Sequence, residues 1–390
     1  MWNFSLAKED MKDSADMAYA VNPYGDGHSC ERIADENVRY LMENHLILEE
    51  KSAIIEWIDV CRGLLIVFMI LGHTGSPLTK WIYSFHMPAF LFLSGYTAKH
   101  NDSLVRFVIK KGKRLVLPYV VWNVCFILFY SLLSAKGIFV FFAEPFTVTV
   151  PDFFKHLATA NLGGATWFLP VLFEISMVYQ VLHMVLKKVK IPQVTPYVGI
   201  LIGICGFWLC DNGHYMPYMF DLCLYGLLYY SMGQLFASEQ VLQKKIPEKE
   251  MIVLCVAVIF VFAMQYPNLI MNWPTRAFTG LMEDVVCAVC GVYVCYRISL
   301  KLCQMETTKK ILSFWGKHSM GILIGHFLAF RIIFAGFYLL DLVNIEYLRN
   351  LTPMQVIPFE WFIVTAGTLL LCSGVVLLSN RAKSVLVGKR

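Results

Sequence analysis

Between residues 54 and 380 the chain is a succession of apolar stretches, each about twenty residues long, separated by short polar connections. Twenty helical residues rise about 30 Å, the thickness of the hydrocarbon layer of a bilayer. No water reaches the backbone there, so each span must satisfy its own N–H and C=O groups, which an α-helix does. The stretches fall at 54–73, 81–98, 115–135, 167–186, 197–213, 216–237, 250–266, 277–298, 319–341 and 358–380. Hydrophobic residues are 57% of the chain and charged ones 16%, with a mean hydropathy of +0.58, a balance outside the range of soluble domains. The expected fold class is all-α, a polytopic membrane helical bundle of about ten transmembrane helices.

The charges between the stretches predict its orientation. Alternate connections carry six, three, three, five and four Lys or Arg, twenty-one in all, and the intervening ones carry five. Basic loops stay in the cytoplasm, so a multi-pass protein of the plasma membrane with both termini cytoplasmic is expected. The net charge of +5 then reflects topology, and nucleic acid is not an expected partner. Residues 1–51 read as an acidic cytosolic extension, partly disordered, without the basic and apolar regions of a signal peptide, and 52–390 as the membrane domain. The connection 136–166 is too broken for a span and reads as a re-entrant or interfacial element. Most of the twelve cysteines lie in apolar stretches, where cysteine packs as a small hydrophobe, so neither a structural disulfide nor a metal is expected.

Against this background the stretch 54–97 carries costly residues. Asp59, Arg62 and His73 share one apolar segment, and eleven residues at about 100° each bring Arg62 and His73 onto one helix face, about 16 Å apart. A charge at the centre of a membrane helix costs at least about 2.5 kcal/mol, so Arg62 should face the bundle interior or a wet cavity. Asp59, three residues earlier, is within reach as its partner.

Several motifs resemble the acyltransferase-3 family of integral membrane acyltransferases, and within it the branch of fucose 4-O-acetylase-like glycan O-acetyltransferases. They are Asp-x-x-Arg-Gly at 59–63, the Arg62-x10-His73 pair and Ser-Phe-His-Met-Pro-Ala-Phe-Leu-Phe-Leu-Ser-Gly-Tyr at 84–96. Downstream come Lys111-x-x-Arg114-Leu-x-x-Pro-Tyr, Trp167-Phe-Leu-Pro, and Gly316-Lys-His-Ser-Met-Gly followed by His326. The resemblance covers about residues 52–380. It implies transfer of an acyl group, acetyl first, from acyl-CoA as co-substrate to a hydroxyl of a cell-surface glycan or its lipid-linked precursor.

On that resemblance His73 is the expected general base, taking the hydroxyl proton as oxygen attacks the thioester; imidazole suits this near neutral pH. Arg62, forked and permanently charged, can hold a phosphate or polarise the thioester carbonyl, and an ion pair with Asp59 is compatible with either. His86 is a second candidate base or an orienter of the acceptor, beside Pro88, which can kink its helix. Lys110, Lys111, Lys113 and Arg114 read either as a coenzyme A phosphate site or as an anchor at the cytoplasmic lipid headgroups, with Lys111 standing where the family has Arg. Trp167, Glu174 and His326 are further cavity candidates. Ser94 and Gly95 read as packing residues, small enough for close helix approach. A polytopic transporter or flippase for a glycan precursor is the rival class, with the same buried charges lining a path and no thioester consumed.

Overall fold

The computed structural model describes residues 56–100, 103–136, 154, 164–238, 248–265 and 271–387. The acidic extension and most of the connection 136–166 lie outside the described residues. The chain divides into two compact units, Met1–Trp57 and Ile58–Arg390, and the second holds all that follows.

The described chain is helical almost throughout. Helix α1 (56–73) is followed by the short α2 (Thr79–Tyr83) and by α3 (His86–Tyr96). Next come α4 (104–132, with a π-helical turn at Gly112–Val116), α5 (Phe168–Lys188), α6 (Thr195–Asp211), α7 (Phe220–Ser238) and α8 (Glu248–Gln265). The chain closes with α9 (Leu281–Cys303), α10 (Glu306–Lys317), α11 (Ser319–Leu339) and α12 (Glu360–Val387). Six of these, α4, α5, α6, α9, α11 and α12, are long and apolar enough by length and composition to cross a membrane. The protein is thus an all-α polytopic membrane bundle. The other four predicted spans are also helical, but they are shorter or more polar: α1 carries Glu56, Asp59 and Arg62, and α3 has 11 residues.

The stretch 81–98 departs from its expected single helix. The chain breaks at Ser84–Phe85, where Phe85 has φ −146, and restarts at His86. Pro88 is the cause: it lacks the N–H that would bond Ser84, and its ring would strike that carbonyl, whereas a proline in a first turn forfeits nothing. The His86 ring Nδ1 lies 3.0 Å from the Ile82 carbonyl oxygen and bridges the break.

Glycines set the close crossings. A Cβ on Gly95 would lie 2.0 Å from the Tyr230 carbonyl oxygen, and one on Gly233 would lie 2.1 Å from that of Phe92, so α3 and α7 meet backbone to backbone. Gly203 and Gly206 do the same for α6 against α7. Buried charges find partners: Arg276 bonds Asp221 through Nε at 2.9 Å and Nη2 at 3.2 Å, and Asp284 accepts from the Tyr225 hydroxyl at 3.1 Å. The first pair joins a buried carboxylate to an arginine on the 271–280 loop, the arrangement that makes such a charge tolerable.

Candidate active site

The costly residues of the sequence separate into two clusters at opposite ends of α1. At its N-terminal end Asp59 and Arg62 are 3.7 Å apart, and Arg62 Nη2 also donates to the Thr97 hydroxyl at 2.9 Å. Lys317, the last residue of α10, reaches Asp59 at 3.9 Å. It gets there because α10 lies directly on α1: a Cβ on Gly63 would be 2.0 Å from the Leu312 carbonyl oxygen, and one on Gly316 would be 1.9 Å from that of Asp59. The glycines of two distant motifs are therefore one contact.

These residues open into a cavity of about 810 Å³. Among the described residues, Arg62, Lys99, Lys110, Lys111, Arg114 and Lys317 line it against one carboxylate, Asp59. Lys111 Nζ donates to the Ser176 hydroxyl at 3.3 Å, tying the basic segment to α5. The π-helical turn puts Gly112–Val116 out of α-helical phase, and π turns recur at functional sites. Here Lys110, Lys111 and Arg114 line the cavity while Lys113 is exposed outside it. Ser94 lines it as well, and its hydroxyl is returned to the Phe90 carbonyl. At the mouth His100 stacks on His183 with 3.9 Å between centroids and bonds Gln234 at 2.9 Å. Burial lowers the basicity of the His100 ring, against the raising effect of its bonds to Gln234 and Gln180.

The second cluster lies at the C-terminal end of α1. His73 stacks on His326 at 5.4 Å between ring centroids, and Phe327 closes on both, at 5.1 Å and 4.1 Å. The Tyr83 hydroxyl is 3.0 Å from His73 Nδ1, and the Tyr83 ring lies 5.1 Å from that of His86. His86 is 2% and His326 0% exposed, whereas His73 is only half-buried, so His73 is the imidazole of the three most open to an incoming group. His326 Nδ1 is 2.7 Å from the Leu323 carbonyl and must donate to it, which leaves the basic lone pair on Nε2; that atom is buried without a partner among the described residues. The rest of this end is closed by the 345–360 connection. Gln355 donates to the Thr74 carbonyl at 2.6 Å, and the Glu360 carboxylate holds the Val356 N–H at 2.7 Å and the Tyr347 hydroxyl. Burial and the adjacent Glu360 keep the Tyr347 phenol well above its ordinary titration range.

The clusters are joined by the cavity wall. Ile66 stands on α1 between Arg62 and His73, Phe90 is one turn from His86, and Leu323 is one turn before His326; all three line the cavity. His73, His86 and His326 do not themselves line the cavity; these wall residues stand between it and the histidine cluster.

A family model described as an acyltransferase domain matches residues 55–377. The chain belongs to this acyltransferase-3 family. Among curated proteins, the nodulation protein NolL of Sinorhizobium fredii is 31% identical over 127 residues, covering 28% of this chain and 32% of the relative. NolL of Mesorhizobium japonicum is 28% identical over 127 residues, covering 28% and 31%. The chain thus spans about a third of the length of these relatives. No solved structure matches.

Within this acyltransferase fold the motif residues sort by cluster. Asp59, Arg62, Lys110, Lys111 and Arg114 come together, as do His73, His86 and His326, while Lys113 joins neither. Arg62 lines the cavity among the other cations and His73 does not; eleven residues of α1, about 16 Å, separate them. Glu174 does not line the cavity; it lies within electrostatic reach of Asp221 and Cys223, and its Oε2 is buried without a hydrogen bond among the described residues. Trp167 is buried in the turn Gly164–Trp167 beneath the cavity-lining Phe168 and Leu169. Tyr83 and Thr97 were not singled out by the sequence, and Lys317 stood in a quoted motif without a site role. Tyr83 stands three residues before His86, but only folding shows that it touches His73 ten residues away. Among the described residues no group of three or more His, Cys, Asp or Glu could hold a metal.

Proposed function

We propose that this protein is a membrane O-acyltransferase that moves an acyl group, acetyl in the first instance, from acyl-CoA to a hydroxyl of a cell-surface glycan or its lipid-linked precursor. One observation supports the reading: among the described residues a cavity with six cations and one carboxylate in its wall is bounded by Ile66, Phe90 and Leu323, each one or two helical turns from one of three clustered histidines. Coenzyme A has that polarity, with phosphates at one end and the thioester at the other. Arg62, Arg114, Lys110 and Lys111 bind the phosphates, where forked guanidinium groups give bidentate bonds and lysines act as point charges. Asp59 orients Arg62 and Lys317 without neutralising the site.

At the other end the acceptor hydroxyl gives its proton to His73, its oxygen attacks the thioester carbonyl, and the C–S bond breaks as the tetrahedral intermediate collapses. The proton leaves with the thiolate as free coenzyme A. His326 and His86 are buried behind His73 with their Nδ1 atoms facing the backbone, so His73 is the imidazole that meets the acceptor hydroxyl. The basic end of the bundle faces the cytosol, where acyl-CoA is made, and the histidine end faces outward.

The test uses membranes containing the protein, the host's glycan and labelled acetyl-CoA. Thiol release and label in glycan, both lowered at least about 100-fold in His73→Ala, are expected of a general base. Label transferred without His73 would remove the base assignment. A wild-type protein that released no thiol and moved no label would instead be a path for the precursor, the transporter class.

A further inference from the structure

We infer that Tyr83 is a positioning residue for the transfer: its phenol sets the tautomer and ring orientation of His73 and accepts a hydrogen bond from the imidazolium during the reaction. The inference rests on the reading of His73 as the base. The Tyr83 hydroxyl is 3.0 Å from His73 Nδ1, and no other hydrogen bond to the His73 ring is seen among the described residues. The titratable groups packed against the ring are Tyr83 on α2, His86 on α3 and His326 on α11. Of these, His326 meets it face to face at 22° between planes, a geometry without a hydrogen bond, and both His326 and His86 spend their Nδ1 on backbone carbonyls. The phenol is the side chain that fixes which nitrogen faces the substrate.

A hydroxyl suits both states of the ring. Before transfer the neutral imidazole keeps its proton on Nδ1, donated to the phenol oxygen, and Nε2 carries the lone pair that takes the acceptor proton. Afterwards both nitrogens carry protons, Nδ1–H still donates to Tyr83, and the Nε2 proton passes to the thiolate; the phenol itself gains and loses nothing. Unlike a carboxylate in this role, an uncharged phenol stabilises the imidazolium without placing an anion in an apolar end of the bundle.

The break at Ser84–Phe85 is what makes this possible. Five-residue α2 ends at Tyr83, and the chain turns before α3, so the phenol leans back onto α1 while its ring rests on His86.

Tyr83→Phe keeps the ring and removes the hydroxyl. Expected are a fall of about 10- to 100-fold in kcat, the size of a lost hydrogen bond to a charged group, and a KM for acetyl-CoA within twofold of wild type, because the donor cations are untouched. Losing the acceptor destabilises the imidazolium, so the acid limb of the pH–rate profile should move to lower pH. The same profile is taken with His73→Ala beside it. Unchanged kcat in Tyr83→Phe, or a loss in which kcat and KM move together with the acid limb in place, overturns the positioning role. Activity retained in His73→Ala overturns the base reading itself, which separates the two failures.

Discussion

Lys113 and Arg114 are neighbours in sequence and have opposite fates in the fold. Arg114 lines the cavity with Lys110 and Lys111, whereas Lys113 is exposed outside it. Charge composition treats the four as one cluster; at about 100° per residue helix geometry groups 110, 111 and 114 on one side and leaves 113 off it. The expected consequence is a contrast within the cluster. Lys111→Gln with Arg114→Gln should raise the KM for acetyl-CoA about tenfold or more, since each phosphate contact is a charge-assisted bond, with a smaller effect on kcat. Lys113→Gln should leave both within about twofold. Steady-state kinetics on purified protein decides it, and equal effects from all three would return the cluster to an anchor at lipid headgroups. Arg62→Lys belongs beside them: it retains charge but loses the fork that reaches Asp59 and Thr97 together.

Among elements, the crossing of α1 and α10 has the least room. Gly63 and Gly316 face each other's helix across gaps that a single methyl group would fill, with Cβ positions 2.0 Å and 1.9 Å from backbone oxygens. Backbone cannot step aside as a flexible side chain can, so Gly63→Ala must push α10 away. A loss of about 1–3 kcal/mol is expected from such overpacking, read as a lower Tm in detergent, together with a raised KM for acetyl-CoA because Lys317 travels with α10. Gly336→Ala is the control: nothing lies within 4 Å of its Cβ, and alanine favours a helix, so its Tm should stay or rise. If Gly63→Ala matched the control, the crossing would not be what sets the cavity wall. The glycine of Asp-x-x-Arg-Gly was visible in sequence, but its partner was not, because Gly316 is more than 250 residues away and nothing local links them.

At the scale of the whole molecule, the proposed transfer needs the basic end on the side of acyl-CoA. The loop charges, twenty-one against five, are the basis for proposing that this end and the C-terminus lie in the cytosol. A C-terminal fluorescent-protein fusion should therefore fluoresce, and an alkaline phosphatase fusion at the same point should be inactive; the opposite pair would invert the direction of the reaction. Much of this was legible in the chain. Apolar stretches of spanning length mark the helices, since a bilayer core leaves the backbone no other partner than itself, and the helix period alone places Arg62 and His73 on one face. Other features depend on what approaches from elsewhere in the chain, and periodicity carries no record of that. Only the tertiary structure brought Lys317 to Asp59, set His326 and Tyr83 against His73, turned Glu174 away from the cavity, and broke the second span at Pro88 so that one phenol could face two histidines. The sequence by itself determined which residues are too costly for lipid and so must turn inward; the packing of the helices decided which of them meet, because contact distance is a property of the folded bundle and not of spacing along the chain.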